Sequence, residues 1–304
     1  MGWGLEIASD MLRLCNAELR RGRLRLHRRA EVAVPPGLIR PSLKDGNVGD
    51  AGTLSGLMRD LCRSSGCRGW VRVALPDPVF SLRTIATEAL PESREEARRF
   101  LRWQARDLLP FPAEEARLDF LPAAPGPDGR VWAVCLMARD RVLLEYEKSL
   151  AGCDLQAATL DARSISLAQA ASPRLGRGSV ALLAVDRAWT TFLWVHEGRP
   201  RFWRILPEGE PAWAGGDRAR LLREVADSIA FCQESEGVGP MEGVMVAGLG
   251  PAMAEVTSAL AHWLEVPVTP LLPSEIWGNG AGPEDLAHDF VTWGPAVGAA
   301  IRPC

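Results

Sequence analysis

The chain has 304 residues, 47% of them apolar and 24% charged, with a formal net charge of −3. This composition predicts a soluble globular protein of two or three domains and excludes disordered, collagen-like and disulfide-framework chains. The seven cysteines are scattered along the whole chain, which favours reduced thiols, and the slight negative charge argues against nucleic acid as a partner.

The N-terminal segment does not resemble an export signal. It carries a carboxylate at Glu6 and has no basic flank before an apolar run, which argues against secretion. The longest apolar stretches, such as residues 131–138 and 180–185, are far shorter than the ~20 residues that cross a bilayer. We therefore expect a cytoplasmic protein.

Two strand-rich segments, residues 4–27 and 181–205, share one pattern. Each has an apolar strand that ends near an acid, a tight loop, an alternating second strand and a glycine turn into a third strand. In this comparison Asp186 stands where the first segment has Glu6. Such a repeat at long spacing indicates two related lobes, although two unrelated hairpins of similar pattern remain the alternative.

The sequence between and after these segments alternates strands with helices. A helix over residues 91–109 is predicted by the capping box of Ser93 and Glu96, an apolar face and the stop at Pro110. Strand patterns on both sides of it predict a small α+β insert with its own sheet at about residues 71–155. Further helices are predicted at residues 140–152, 161–171, 217–234 and 251–264.

Most catalytic and metal-binding motifs are missing. The four histidines lack metal-ligand spacing, and no nucleophile elbow, P-loop or dinucleotide fingerprint occurs, so we expect no metal site and no catalytic residues. The basic stretch from Arg13 to Arg29 alternates with Leu24 and Leu26. This alternation predicts a strand with one solvated basic face rather than a phosphate-binding patch.

Three turns rich in small residues could approach the phosphates of a nucleotide. In such turns backbone N–H groups contact the phosphates, and an acid holds Mg²⁺ or orients the attacking water. The candidate residues are Glu6, Ala8, Ser9, Asp10, Asp186, Thr190, Gly248 and Gly250.

Several segments, taken in chain order, resemble the PilM-like family of type IV pilus assembly proteins, within the actin-like ATPase superfamily. The resemblance implies an α/β fold of two duplicated ribonuclease-H-type lobes, residues 1–175 and 176–304, with the α+β insert in the first lobe. Its most specific part is the helix and strand over residues 102–120. The matching segments are residues 4–14, 71–77, 102–112, 118–120, 152–156, 161–170, 202–209, 229–234 and 293–302.

The chain departs from the family pattern at both phosphate turns. Glu6, Ala8 and Arg13 replace the Asp, Gly and Lys of the family, and Arg187 and Ala188 replace Ile-Gly in the second turn. A Cβ in place of hydrogen blocks close approach of the backbone to a phosphate. We therefore expect degenerate nucleotide binding and no cofactor, with bound ATP and Mg²⁺ as the alternative.

The resemblance also implies a partner and a location. The chain would be a cytoplasmic scaffold at the inner face of the inner membrane, reaching the membrane only through its partners. It would bind the short N-terminal tail of a PilN-like membrane protein in a groove between the first lobe and the insert, beside other assembly components and possible copies of itself. The candidate wall residues, each of which could equally be insert core, are Arg83, Trp103, Leu109, Phe111 and Pro112.

Other functions of the same superfamily remain open. One is an ATP-binding assembly ATPase, and another is the cytoplasmic L component of a type II secretion system. In relatives the L component continues into a membrane helix, whereas this sequence ends at Cys304, which favours the pilus interpretation. A sugar kinase has less support because no catalytic aspartate or sugar-binding insert can be located.

Overall fold

The computed structural model describes residues 2–20, 23–125, 129–215, 218–235, 240–249, 252–264, 266–271 and 286–302. Gly22 and Gly250, which belong to the predicted turns, lie outside these residues. The strands are β1 (Gly2–Ile7), β2 (Met11–Arg20), β3 (Arg23–Ala33), β4 (Gly69–Leu75), β5 (Phe80–Thr87), β6 (Ala116–Pro125), β7 (Val131–Arg139), β8 (Leu155–Ala162), β9 (Ser179–Val185), β10 (Thr190–His196), β11 (Arg199–Leu206), β12 (Gly243–Ala247) and β13 (Val268–Pro270). The helices are α1 (Ala51–Ser65), α2 (Arg94–Gln104), α3 (Asp140–Ala151), α4 (Arg163–Ala170), α5 (Ser172–Leu175), α6 (Glu210–Ala214), α7 (Arg218–Ser235), α8 (Met253–Leu264) and α9 (Leu286–Ile301).

Two five-stranded sheets have the same strand order. In the first sheet, β3, β2 and β1 form an antiparallel meander, and β4 and β8 continue it in parallel. In the second sheet, β11, β10 and β9 form the meander, and β12 and β13 follow in parallel. This duplication confirms the predicted fold class, with two related lobes and an insert.

The insert is a separate three-stranded antiparallel sheet in the order β5-β7-β6. Helix α2 covers it, and buried apolar residues such as Leu101, Phe120 and Met137 form its own core. The separate sheet lies between Phe80 and Arg139, a narrower range than the predicted 71–155. The difference arises because β4 pairs with β1, and α3 packs on α1, so both belong to the first lobe.

The helix α2 begins where the sequence predicts a cap. The N–H of Glu96 donates to the hydroxyl oxygen of Ser93 at 3.4 Å. At the other end of the chain, α9 packs on β1, β2 and β4 of the first sheet, although it follows the strands of the second. No helix in the described part of the chain is long and apolar enough to cross a membrane.

Close packing of α9 depends on two glycines. A Cβ built on Gly4 of β1 would lie 2.0 Å from the carbonyl oxygen of Ala296. A Cβ on Gly298 of α9 would lie 1.7 Å from the carbonyl oxygen of Ser166 in α4. Only glycine permits these approaches, so α9 is held against both β1 and α4.

The two hairpin turns are equivalent, but their register differs from the predicted one. In the first turn Ala8 donates its N–H to the carbonyl of Met11 at 2.9 Å, and in the second Asp186 donates to the carbonyl of Trp189 at 2.8 Å. Asp186 therefore matches Ala8, and the predicted match with Glu6 is displaced by two residues. The comparison of sequences aligned the two acids, whereas the main-chain pairing of the strands determines which residues are equivalent.

Candidate functional site

The junction of the two lobes contains a buried arginine between two acids. Arg163 is the first residue of α4 and is only 7% exposed. Its Nε lies 2.8 Å from Oε1 of Glu6, at the end of β1, and 3.3 Å from Oδ2 of Asp186, after β9. Burial alone would lower the pKa of Arg163, but Asp186 and Glu6 raise it above its usual value. The guanidinium therefore stays charged.

A second arginine completes the surroundings of Glu6. Nη1 of Arg13 on β2 lies 3.3 Å from Oε2 of Glu6, so each carboxylate oxygen of Glu6 faces a different guanidinium group. Glu6 is only 1% exposed. Burial of a charged group costs free energy unless it is paired, and the two arginines satisfy that condition.

A third buried acid joins the lobes through hydrogen bonds. Asp77 follows β4 and accepts from the N–H of Ser164 at 2.9 Å and from the hydroxyl of Thr191 at 2.6 Å. The hydroxyl of Ser164 in turn accepts from Nε1 of Trp203 at 3.1 Å. Burial raises the pKa of Asp77, and the two donors and the nearby Arg163 only partly oppose that rise.

Not all of the predicted phosphate-turn residues meet at this junction. Glu6 and Asp186 do, through Arg163, and Asp10 lies 3.8 Å from the Arg187 side chain beside them. Ala8 is buried in the first turn, and Ser9 is half-buried next to it.

The remaining two described candidates have structural roles inside the second lobe. Thr190 donates its hydroxyl to the carbonyl of Glu208 at 2.7 Å and accepts from Nε1 of Trp213 at 2.8 Å. Gly248 has a φ of +106°, and a Cβ on it would lie 2.0 Å from the carbonyl of Val185. Position 248 therefore requires glycine, because any side chain there would clash with β9.

The side chains at the junction do not fit a magnesium nucleotide in this arrangement. Mg²⁺ requires oxygen ligands, and the carboxylates of Glu6 and Asp186 already bind Arg163, whose positive charge repels a cation. The second turn is also packed from behind, because a Cβ on Gly209 would lie 2.4 Å from the carbonyl oxygen of Asp186.

A long groove runs between the insert and the first lobe. Its largest part is a cavity of about 790 Å³, with α2 and β6 on one side and α3 on the other. Arginine and carboxylate side chains line its rim in equal number, so the groove has no strong net charge there. Its apolar wall consists of Phe80, Leu118, Leu136, Leu143, Leu144 and Leu160, together with two alanines.

The groove continues through two smaller cavities, and we call the three together the insert groove. The second cavity, of about 260 Å³, shares Asp119, Leu136 and Leu160 with the first. The third, of about 140 Å³, extends to α4 and the turn after β10. It shares with the second cavity the residues Leu121, Asp161, Ile165, Pro200 and Arg302.

One edge of β8 lies along the insert groove. Within the described sheet β8 pairs with β4 alone, and its residues 158–161 line the second cavity. A strand edge of this kind offers N–H and C=O groups to an added strand. Leu121 of β6, which faces the same cavity, is 50% exposed.

The five predicted wall residues do not line the three cavities of the insert groove. Phe111 is buried, and Leu109 packs against the core of the insert. Trp103 is 57% exposed on α2, Arg83 is exposed on β5, and Pro112 is exposed before β6. The residues that do line the insert groove come mainly from α2, β5, β6, β7, α3, β8 and α4, with Pro200 of β11 and Gly298 of α9 among the others.

Sequence reasoning did not identify Arg163, Asp77 or Thr191. Arg163 and Glu6 are 157 positions apart, and Thr191 and Asp77 are 114 positions apart. No local spacing relates such residues. The available signals were the charged residue Arg163 near the start of the predicted helix over 161–171 and the family resemblance of residues 71–77 and 161–170, which contain Asp77 and Arg163.

Comparisons with known proteins identify the fold. No family model and no curated protein matches the chain. Among solved structures, it matches a chain of the PilM–PilN type IV pilus biogenesis complex with 21% identity, 99% coverage of both chains and a TM-score of 0.80. The cytoplasmic domain of EpsL, from the type II secretion system of Vibrio cholerae, is matched with 13% identity, a TM-score of 0.48, and coverage of 80% of this chain and 79% of the EpsL chain. The chain therefore has, over 99% of its length, the fold of the matched chain of the PilM–PilN complex.

Proposed function

We propose that this chain is an assembly scaffold of a type IV pilus that binds the N-terminal cytoplasmic tail of a PilN-like inner-membrane protein. The observation that carries the proposal is the insert groove, on a chain whose fold matches a chain of the PilM–PilN complex. Through this partner the scaffold would lie at the inner face of the inner membrane. Other assembly components and further copies of the chain are its expected neighbours there.

The insert groove suits an extended peptide rather than a helix or a small molecule. It is built from three connected cavities, and the β8 edge can bond to the main chain of an added strand. The apolar second cavity would take the larger side chains of the tail. The charged rim of the first cavity would contact its polar residues.

Nucleotide binding is degenerate in this proposal. The carboxylates of Glu6 and Asp186 bind Arg163, and the turn residue Ala8 has a Cβ where the family has glycine. Titration of the protein with ATP and Mg²⁺ in a calorimeter should therefore give no heat at millimolar nucleotide. Micromolar binding that is lost in Asp186→Ala would instead favour an assembly ATPase.

A synthetic peptide that copies the cognate PilN tail tests the partner. The protein should bind it, and Leu121→Glu in the second cavity should weaken binding at least tenfold by placing a charge on an apolar wall. Leu19→Glu is the matched control, because Leu19 is also an exposed strand leucine, 41% exposed, and lies outside the groove. Absence of binding at high micromolar peptide, or equal losses in both variants, contradicts the proposal.

A further inference from the structure

We infer that Arg163 is an internal cation that holds the two lobes together at the two predicted phosphate turns, and that it thereby fixes α4 as a wall of the insert groove. In this scaffold the groove is formed permanently, without a nucleotide to control it. The inference rests on the proposed degenerate nucleotide site and adds how the lobes stay closed in its absence.

The geometry around Arg163 is that of a bound cation. Its Nε contacts one oxygen of Glu6 at 2.8 Å and one of Asp186 at 3.3 Å, and these residues come from different lobes. Asp77 adds a third carboxylate, buried like that of Glu6, beside the same guanidinium, and Arg13 is the other cation on Glu6. Calcium binds oxygen ligands at ~2.3–2.6 Å, so small shifts would let a metal ion replace the guanidinium if it were removed.

Helix α4 connects this junction to the insert groove. Arg163 begins the helix, and Ile165 and Ser166 in the same first turn line the third cavity. Asp161, at the end of β8, lines the second and third cavities. The position of Arg163 therefore determines where this part of the groove wall lies, which makes Arg163 a positioning residue and not a contact of the tail.

Removal of the cation tests the inference. Arg163→Ala leaves the buried carboxylates of Glu6 and Asp77 and the partly exposed carboxylate of Asp186 with fewer counter-charges. Its thermal midpoint should therefore fall, and Mg²⁺ or Ca²⁺ should raise it again relative to NaCl of equal ionic strength. The wild-type midpoint should not respond to these ions. The control is Arg139→Ala, which removes another largely buried arginine, bonded to Glu115 at 2.6 Å, and should show no rescue.

The tail peptide supplies the second measurement. Arg163→Ala should bind it several-fold more weakly than wild type, and added divalent cation should restore the affinity. Unchanged affinity, or a loss of stability that no cation reverses, overturns the inference. If Arg163→Ala does not fold, Arg163→Lys and Arg163→Gln replace it, and affinity should then fall in the order wild type, Lys, Gln; equal affinities overturn the inference.

The two proposals fail in different ways. Wild-type protein that binds ATP with Mg²⁺, or does not bind the tail peptide, contradicts the proposed function. Wild-type protein that binds the peptide, with Arg163→Ala binding it equally well, contradicts only the role of Arg163.

Discussion

The hydroxyl of Thr191 donates to Oδ2 of Asp77 at 2.6 Å, and both side chains are buried although they belong to different lobes. The bond satisfies one of the two carboxylate oxygens of Asp77, and the N–H of Ser164 satisfies the other. Buried polar groups are costly when they lose such a partner. The relationship therefore makes the contact between the lobes sensitive to a single hydroxyl group.

Thr191→Val keeps the shape of the side chain and removes that hydroxyl. We expect the free energy of unfolding to fall by ~1–3 kcal/mol, because one oxygen of Asp77 loses its donor. Urea denaturation measures the change. Thr257→Val is the control: its hydroxyl donates within α8 to Met253, so its loss should cost much less. Equal losses in the two variants would contradict the role of the bond between the lobes.

The raised pKa of Asp77 predicts a pH dependence of stability. Burial raises the pKa of Asp77 in the folded protein above its value of 3.8 in the unfolded chain. The contribution of Asp77 to the stability of the fold is therefore complete at pH values below the unfolded pKa of 3.8. The contribution is lost as the pH rises through the folded pKa. Asp77→Asn cannot ionise and lacks this loss.

The difference in stability between wild type and Asp77→Asn isolates this group, since other carboxyl groups titrate in both proteins. Urea midpoints measured at pH values from about 4 upwards should give a difference that moves against wild type as pH rises. A constant difference, or one that moves in favour of wild type, would show that Asp77 does not have a raised pKa.

Gly298→Ala should destabilise the protein by ~1–3 kcal/mol, because its Cβ would meet the carbonyl of Ser166 and push α9 away from α4. Gly56→Ala in α1 is the matched control. A Cβ there meets nothing within 4 Å, so the variant should gain up to ~1 kcal/mol from helix propensity. Thermal unfolding of both variants should show a lower midpoint for Gly298→Ala and an unchanged or higher one for Gly56→Ala. An unchanged midpoint for Gly298→Ala would contradict the close packing of α9 on α4.

Arg117 provides a contrast with the buried arginines. It contacts Asp140 at 2.6 Å and Glu147 at 2.5 Å, but its side chain is 40% exposed. Because exposed ion pairs contribute little, Arg117→Ala should lower the free energy of unfolding by ~1 kcal/mol or less. Urea denaturation measures this loss. A loss as large as that of Arg163→Ala would contradict the expectation that an exposed arginine contributes less to stability than a buried one.

Local patterns in the sequence predict much of the fold. Alternation in residues 4–27 and 181–205 identifies both meanders, and the cap at Ser93 identifies the start of α2. These features depend on neighbours in the chain. The repeat of the two lobes follows from them, because equal patterns fold into equal strand orders.

The candidate site was harder to predict because it depends on contacts between distant segments. Glu6 and Asp186 were identified from the turns, but Arg163, which binds both, has no sequence relation to either. The groove was expected between the first lobe and the insert. Its predicted wall included Phe111, which is buried in the structure; Cζ of Arg139 lies 5.4 Å from the centroid of its ring. The prediction failed there because an apolar residue of a loop can equally belong to the core.

The packing of α9 on β1 has a consequence for synthesis of the protein. The strands of the first sheet leave the ribosome early, yet the helix that covers one face of that sheet is translated after the strands of the second. Domains that are contiguous in sequence can fold during translation, whereas this lobe must wait for residues 286–301. A ribosome stalled before them would therefore carry a chain with exposed apolar surface on β1 and β2, to which chaperones bind.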